Sequence, residues 1–237
     1  MSGLNPRRLR VLLVATTFVA ASFGAAQTPF LNAAAYFSGE RKDDVLAKIS
    51  EPTAVKVFSP MLKDSPDSAG YVIAAFVLAM KGVDVEANLA RLIVPIKDAH
   101  DEKIDELTAT HGLAENQILL EDVPNAIYQI YKTQHYLPAL KVLFTMPVEW
   151  PAAEYRDDCV MAQLRSDPKP VMTMAAGDKK IYATLWDIVD WNVGSMTDRK
   201  IFIHRMQTAR WTNAAMKKTA LQLGHDLMTP KNRPAKD

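Results

Sequence analysis

Apolar residues recur along this chain at helical spacing, and almost nowhere at the strict alternation that a half-buried strand needs. Ala54, Val55, Val57 and Phe58 follow Ser50-Glu51-Pro52. Tyr71, Val72, Ala75, Phe76, Ala79 and Met80 follow Ser65-Pro66-Asp67 and stop at Lys81-Gly82. Asp84 opens Ala87 to Ile96, Asp122-Val123-Pro124 precedes Ile127, Ile130 and Tyr131, and Trp150-Pro151 precedes Tyr155, Val160, Met161 and Leu164. Asp167-Pro168 opens a short helix that closes at Ala176-Gly177. A hydroxyl or carboxylate at the first position accepts from an orphan backbone N–H, and proline loses no helical hydrogen bond there. The pattern predicts an all-α fold of about eight or nine helices, each roughly 10 to 16 residues long.

The longest periodic stretch is the last one. Ser195-Met196-Thr197-Asp198 has the layout of a capping box, with Asp in place of the usual Glu. Phe202, Met206, Ala209, Asn213, Met216, Ala220, Leu223 and Leu227 then recur at alternating spacings of four and three. This heptad seam predicts one long C-terminal helix, with Phe202, Met206, Asn213, Met216, Leu223 and Leu227 as an interaction seam. Asn213 is its one polar member, and a buried Asn can set register against a like partner. Thr229-Pro230 ends the pattern, and residues 229–237 are expected to be a disordered tail.

Two segments look alike: Ala54-Val55-Lys56-Val57 and Ala139-Leu140-Lys141-Val142. Their 85-residue offset would hold two spans in the size range of HEAT- and armadillo-like helical pairs. The sequence therefore leaves open an irregular helical array and a stack of helical pairs. Between Lys97 and His111, Asp98, Asp101, Glu102, Asp105 and Glu106 surround Ile104 and Leu107, which reads as an exposed turn or linker. Residues 112–121 are expected to be a loop or one irregular turn, so that 97–121 marks a sub-boundary within a single domain spanning 27–228.

The N-terminus changes how composition is weighed. Arg7, Arg8 and Arg10 precede an apolar run, Val11 to Phe23, and Gly24-Ala25-Ala26 follows. That is the layout of a secretory signal peptide over 1–26, and its apolar run falls short of the roughly 20 residues that cross a bilayer. The expected location is exported, periplasmic or secreted. Without the leader, residues 27–195 carry 16 basic and 24 acidic side chains, and residues 196–237 carry nine basic and three acidic. Cys159 is the single cysteine, so no internal disulfide can form and stability must come from packing.

Candidate chemistry is sparse. His100, His111, His135, His204 and His225 lack metal-ligand spacing, and Met172, Met174 and Met206 read as core filling, so no metal or cofactor is expected. Asp157 and Asp158 beside Cys159 would raise the thiol's pKa and make it a poor nucleophile. Neither a nucleophile elbow, a phosphate-cradling loop nor a dinucleotide fingerprint occurs. Tyr182, Trp186, Asp187 and Asp190 form the densest aromatic and acidic cluster, with Trp191 turned about 140° from Trp186 on a helix.

These features lead to an exported helical interaction or scaffold protein without intrinsic catalysis. It would use its C-terminal helix for a protein partner or for self-association. The alternative is an exported enzyme or small-ligand binder with a pocket around Tyr182, Trp186, Asp187 and Asp190. Lys217-Lys218 and Arg205 with Arg210 are too sparse for a nucleic-acid phosphate track, and membrane association ranks behind a protein partner.

Overall fold

A computed structural model of the protein describes residues 27–37, 46–66, 68–97, 114–146 and 152–229. Residues 1–26, where a signal peptide is expected, the acidic stretch 98–111 and the tail from Pro230 lie outside them. The all-α expectation holds: the described residues form eleven α-helices and one short 3-10 helix, with no strand. In chain order these are α1 (Gln27–Phe37), α2 (Glu51–Phe58), the 3-10 helix (Ser59–Lys63), α3 (Ala69–Met80), α4 (Val85–Lys97) and α5 (Ala114–Gln134). They continue with α6 (Leu137–Thr145), α7 (Ala152–Ser166), α8 (Lys169–Gly177), α9 (Lys179–Asn192), α10 (Met196–Thr208) and α11 (Ala214–Met228). Two units result: unit 1 is 1–139 with 146–155, and unit 2 is 140–145 with 156–237. The division therefore falls inside α6 and α7, whereas most of the 97–121 stretch lies outside the described residues.

In unit 1, α1, α2, α4, α5 and the 3-10 helix all pack on α3. Every residue from Tyr71 to Met80 is buried, because this helix is apolar on all sides and can satisfy that surface only by being surrounded. Ser68 caps it, accepting from the Tyr71 N–H at 3.2 Å, so the cap lies two or three residues beyond the Ser65-Pro66 that the sequence suggests. Gly82, at φ +79, turns the chain out of the helix in the left-handed region that glycine adopts without strain. Phe37 meets Phe76 edge-on at 5.2 Å and Tyr36 stacks on it at 6.2 Å. The Gln134 amide donates to the Met80 carbonyl at 2.7 Å and pins the end of α5 to the end of α3.

In unit 2, α8, α9 and α10 all pack on α11. Neighbouring helices also pack on each other, α8 on α9 in unit 2 and α4 on α5 in unit 1. Gly224 of α11 allows a close approach: a methyl placed there would lie 3.2 Å from Cγ2 of Ile203 on α10.

Two expectations fail. The long C-terminal helix is two helices, broken at Ala209–Asn213. Asn213 is the N-cap of α11, its Oδ1 accepting from the Ala215 N–H at 2.7 Å, so it is a cap and not a buried seam residue. Ala209 turns to extended backbone, and the Trp211 indole donates to the Met206 carbonyl at 2.8 Å, closing α10. Of the expected loop over 112–121, the described part from Ala114 is helical: α5 begins there and passes through Pro124. Pro124 lacks the N–H that would bond the Leu120 carbonyl, which is why it resembles a helix start. Ala114 to Glu121 is rich enough in strong helix formers to carry the helix across it.

Candidate functional site

The aromatic and acidic cluster of α9 is built by a strong local signal. Asp178 caps the helix, its Oδ1 accepting from the N–H groups of Lys180 at 3.0 Å and Ile181 at 3.3 Å. Ile181, Leu185, Trp186, Ile188 and Val189 turn inward. The four residues of the sequence-derived pocket then go to different neighbours. Trp186 is core, at 5% exposure. The Tyr182 hydroxyl donates to Asp226 Oδ2 of α11 at 2.7 Å. Asp190 pairs with Arg199 of α10 at 2.6 Å. Asp187 is half-buried, and its charge acts on Asp157 of α7. Trp191, by contrast, is 83% exposed. Tyr182 and Asp190 thus tie α9 to α11 and α10, while Trp186 packs in the core.

Two residues missed in the sequence hold this region. Asp226 is buried and accepts from Tyr182, from the Gln222 amide at 2.7 Å and, at 3.3 Å, lies beside His225 Nδ1. Burial is the main reason the Tyr182 phenol is shifted upward, and the Asp226 carboxylate beside it adds to the shift. Arg199 donates to the Val193 carbonyl at 3.2 Å and to the Leu227 carbonyl at 2.8 Å, besides its pair with Asp190. A single guanidinium thus satisfies carbonyls at the ends of α9 and α11. The available signal was a lone carboxylate between Leu223 and Leu227, in a stripe that should be apolar.

Cys159 is buried, and its thiol is pushed up to about 12, by burial first and by the Asp158 charge second. At neutral pH it is protonated and poorly nucleophilic. Burial also raises the Asp157 carboxyl, although Arg156, at 2.7 Å, opposes the shift. Among the described residues, no group of three or more His, Cys, Asp or Glu side chains is placed to hold a metal ion.

The interaction seam is placed differently from its reading in the sequence. Phe202, Met206, Leu223 and Leu227 are buried within the protein itself, Met216 is half-buried, and Asn213 is the exposed cap. The face of α11 that does look outward carries Ala214, Lys217, Lys218, Leu221, Gln222 and His225 on an open, shallow surface. Leu221 and Met228, at 42% and 41% exposure, continue one apolar line seven residues apart. The helix has one carboxylate, Asp226, and it is buried on the other face. Ammonium groups flanking exposed apolar side chains suit an anionic ligand with an apolar anchor.

Comparison with known proteins adds no relative: no family model, curated protein or solved structure matches the chain.

Proposed function

We propose that this is an exported helical interaction protein without intrinsic catalysis, and that the outward face of α11 is where a protein partner docks. The observation that carries the reading is the outward strip of α11, where Leu221 lies among Lys217, Lys218 and His225 with no exposed carboxylate on the helix. The partner is a protein segment with acidic side chains around an apolar one, because the lysines attract the first and the exposed Leu221 offers contact to the second.

A photo-crosslinking amino acid at Leu221 tests this in the cell envelope of the native host. The reading expects a discrete adduct from Leu221 and none from Val55, an exposed apolar position of unit 1 at 40% exposure. An adduct of twice the chain's mass would identify the partner as a second copy. Equal labelling at both positions, or none at Leu221, would remove the α11 face from consideration. Export has its own readout: the mass of the purified protein should begin at Gln27, and an intact Met1 would end that part of the reading.

A further inference from the structure

His225 stands where the outward face of α11 meets the buried carboxylate of the same helix. Its imidazole is 64% exposed and shares the outward surface with Lys218, Leu221 and Gln222, all on one side of the helix. Nδ1 nevertheless lies 3.3 Å from Oδ1 of the buried Asp226. That carboxylate is fixed from two other directions, by the Tyr182 hydroxyl on Oδ2 and by the Gln222 amide on Oδ1, both at 2.7 Å. One edge of the ring is thus oriented by the protein's interior, and the rest of it is open to whatever docks on the face.

The pairing decides what the open edge offers. A carboxylate can only accept, so the Nδ1–H donates to Asp226 and the neutral ring keeps its lone pair on Nε2. Against an acidic partner, that lone pair sets one acceptor against another. Protonation turns Nε2 into a donor and adds a positive charge, so the same edge then matches a carboxylate. On α11 itself the other ionisable side chains are Lys217, Lys218 and Asp226. From the helices packed on it, α9 presents Tyr182 to the far oxygen of Asp226. Arg199 of α10 lies on the Leu227 carbonyl and is paired with Asp190, and Lys169 is the sole ionisable side chain of α8.

Resting on the reading of this face as a docking surface for an acidic protein segment, we infer that His225 makes the docking pH-dependent, tightening it as the pH falls from about 8 to about 6. Imidazole is the side chain that changes charge across this window, whereas ammonium groups and a partner's carboxylates keep theirs. The partner binds the protonated ring better than the neutral one, so docking and proton uptake promote each other by the same factor. The lysines supply attraction at every pH in the window, and His225 supplies the part that varies.

The test is photo-crosslinking from Leu221 in the cell envelope of the native host, buffered at about pH 6 and about pH 8. Adduct yield should be about three- to fivefold higher at the lower pH, the scale of one exposed charge pair. His225→Gln should flatten that response, and His225→Lys should hold the yield at its low-pH level under both conditions. Lys217→Gln/Lys218→Gln should lower the yield at both and keep the ratio between them. His225 is exposed, so far-UV circular dichroism of its variants should match the wild type. Equal wild-type yields at the two pH values, or a response that survives in His225→Gln, would overturn the inference while leaving the docking surface in place. No adduct from Leu221 at either pH would remove the docking surface, and this inference with it.

Discussion

The helix at the centre of unit 1 is apolar on every side, whereas its counterpart in unit 2 buries one face and turns two lysines outward. From Tyr71 to Met80, α3 has no polar group to satisfy beyond its backbone and the Tyr71 hydroxyl, and surrounding helices close over it. By contrast, α11 buries Ala220, Leu223, Gly224 and Leu227 together with the carboxylate of Asp226, and it exposes Lys217, Lys218 and Leu221. The charge follows the same division. Residues 27–139 with 146–155 hold ten basic and eighteen acidic side chains, and unit 2 holds fifteen basic and nine acidic. The lesson is that a hub serves stability alone when every face is covered. A hub with an open face leaves side chains available for something outside the protein.

The largest expected effect lies in the closed hub. Phe76→Ala should destabilise by about 3–5 kcal/mol, since the side chain is fully buried and the space between Tyr36 and Phe37 cannot collapse completely. Amide exchange should report the loss first in α1 and α3. In the open hub the vulnerable group is polar. Asp226→Ala should cost about 1–3 kcal/mol, because it leaves the half-buried Tyr182 hydroxyl without its acceptor, and Tyr182→Phe should cost about 1 kcal/mol. A double-mutant cycle by urea unfolding should find the pair non-additive. If Asp226→Leu instead raised stability, the carboxylate would not be what holds α9 to α11, and the contrast between the hubs would lose its polar half.

Alkaline pH separates the units in another way. Cys159 belongs to unit 2, and its folded thiol is pushed up to about 12 from a reference of 9.0. The folded state holds this proton more tightly than the unfolded state. Its contribution to stability is therefore complete below about pH 9 and is lost as pH rises through about 12. Tyr182, also shifted upward, acts with the same sign above its reference of 10.0. Unfolding free energies measured from pH 8 to 11 should fall with pH, and Cys159→Ala should flatten part of that slope. An unchanged slope would show that the thiol is not held protonated by burial.

The covered hub was legible and the open one only half so, for a physical reason. An unbroken run such as Tyr71 to Met80 has one way to be satisfied, so periodicity, cap and burial all agree. The stretch from Phe202 to Leu227 offered two. Its fours and threes fit a continuous heptad seam, and they also fit two helices that pack on the same unit with a break between them. Asn213 decides between these through a hydrogen bond to the Ala215 N–H, and spacing does not reveal whether an Asn caps or is buried. The cluster at Tyr182, Trp186, Asp187 and Asp190 was legible as a helix, but the partners of its side chains were not. Each side chain's destination depends on other helices, and Asp226 and Arg199 are 44 and nine residues away from Tyr182 and Asp190 respectively. Pro124 failed for the opposite reason: its strong local rule was overridden by the helix formers before it.

The smallest expected effect is also the sharpest within one helix. Leu221 and Leu223 are two residues apart on α11 and point about 200° apart, so one is 42% exposed and the other fully buried. Leu223→Ala should cost about 2–5 kcal/mol through the cavity it leaves. Leu221→Gln should cost about 1 kcal/mol or less, because glutamine is nearly as good a helix former and the leucine is already partly in water. Lys217→Gln/Lys218→Gln should change stability by no more than about 0.5 kcal/mol. Urea unfolding of the three variants supplies these numbers, and crosslinking from position 218 in the Leu221→Gln background supplies the other half. If unfolding is nearly unchanged while the adduct disappears, the outward face serves a partner. If Leu221→Gln costs as much as Leu223→Ala, Leu221 is packed against the protein itself, and α11 is a closed hub like α3.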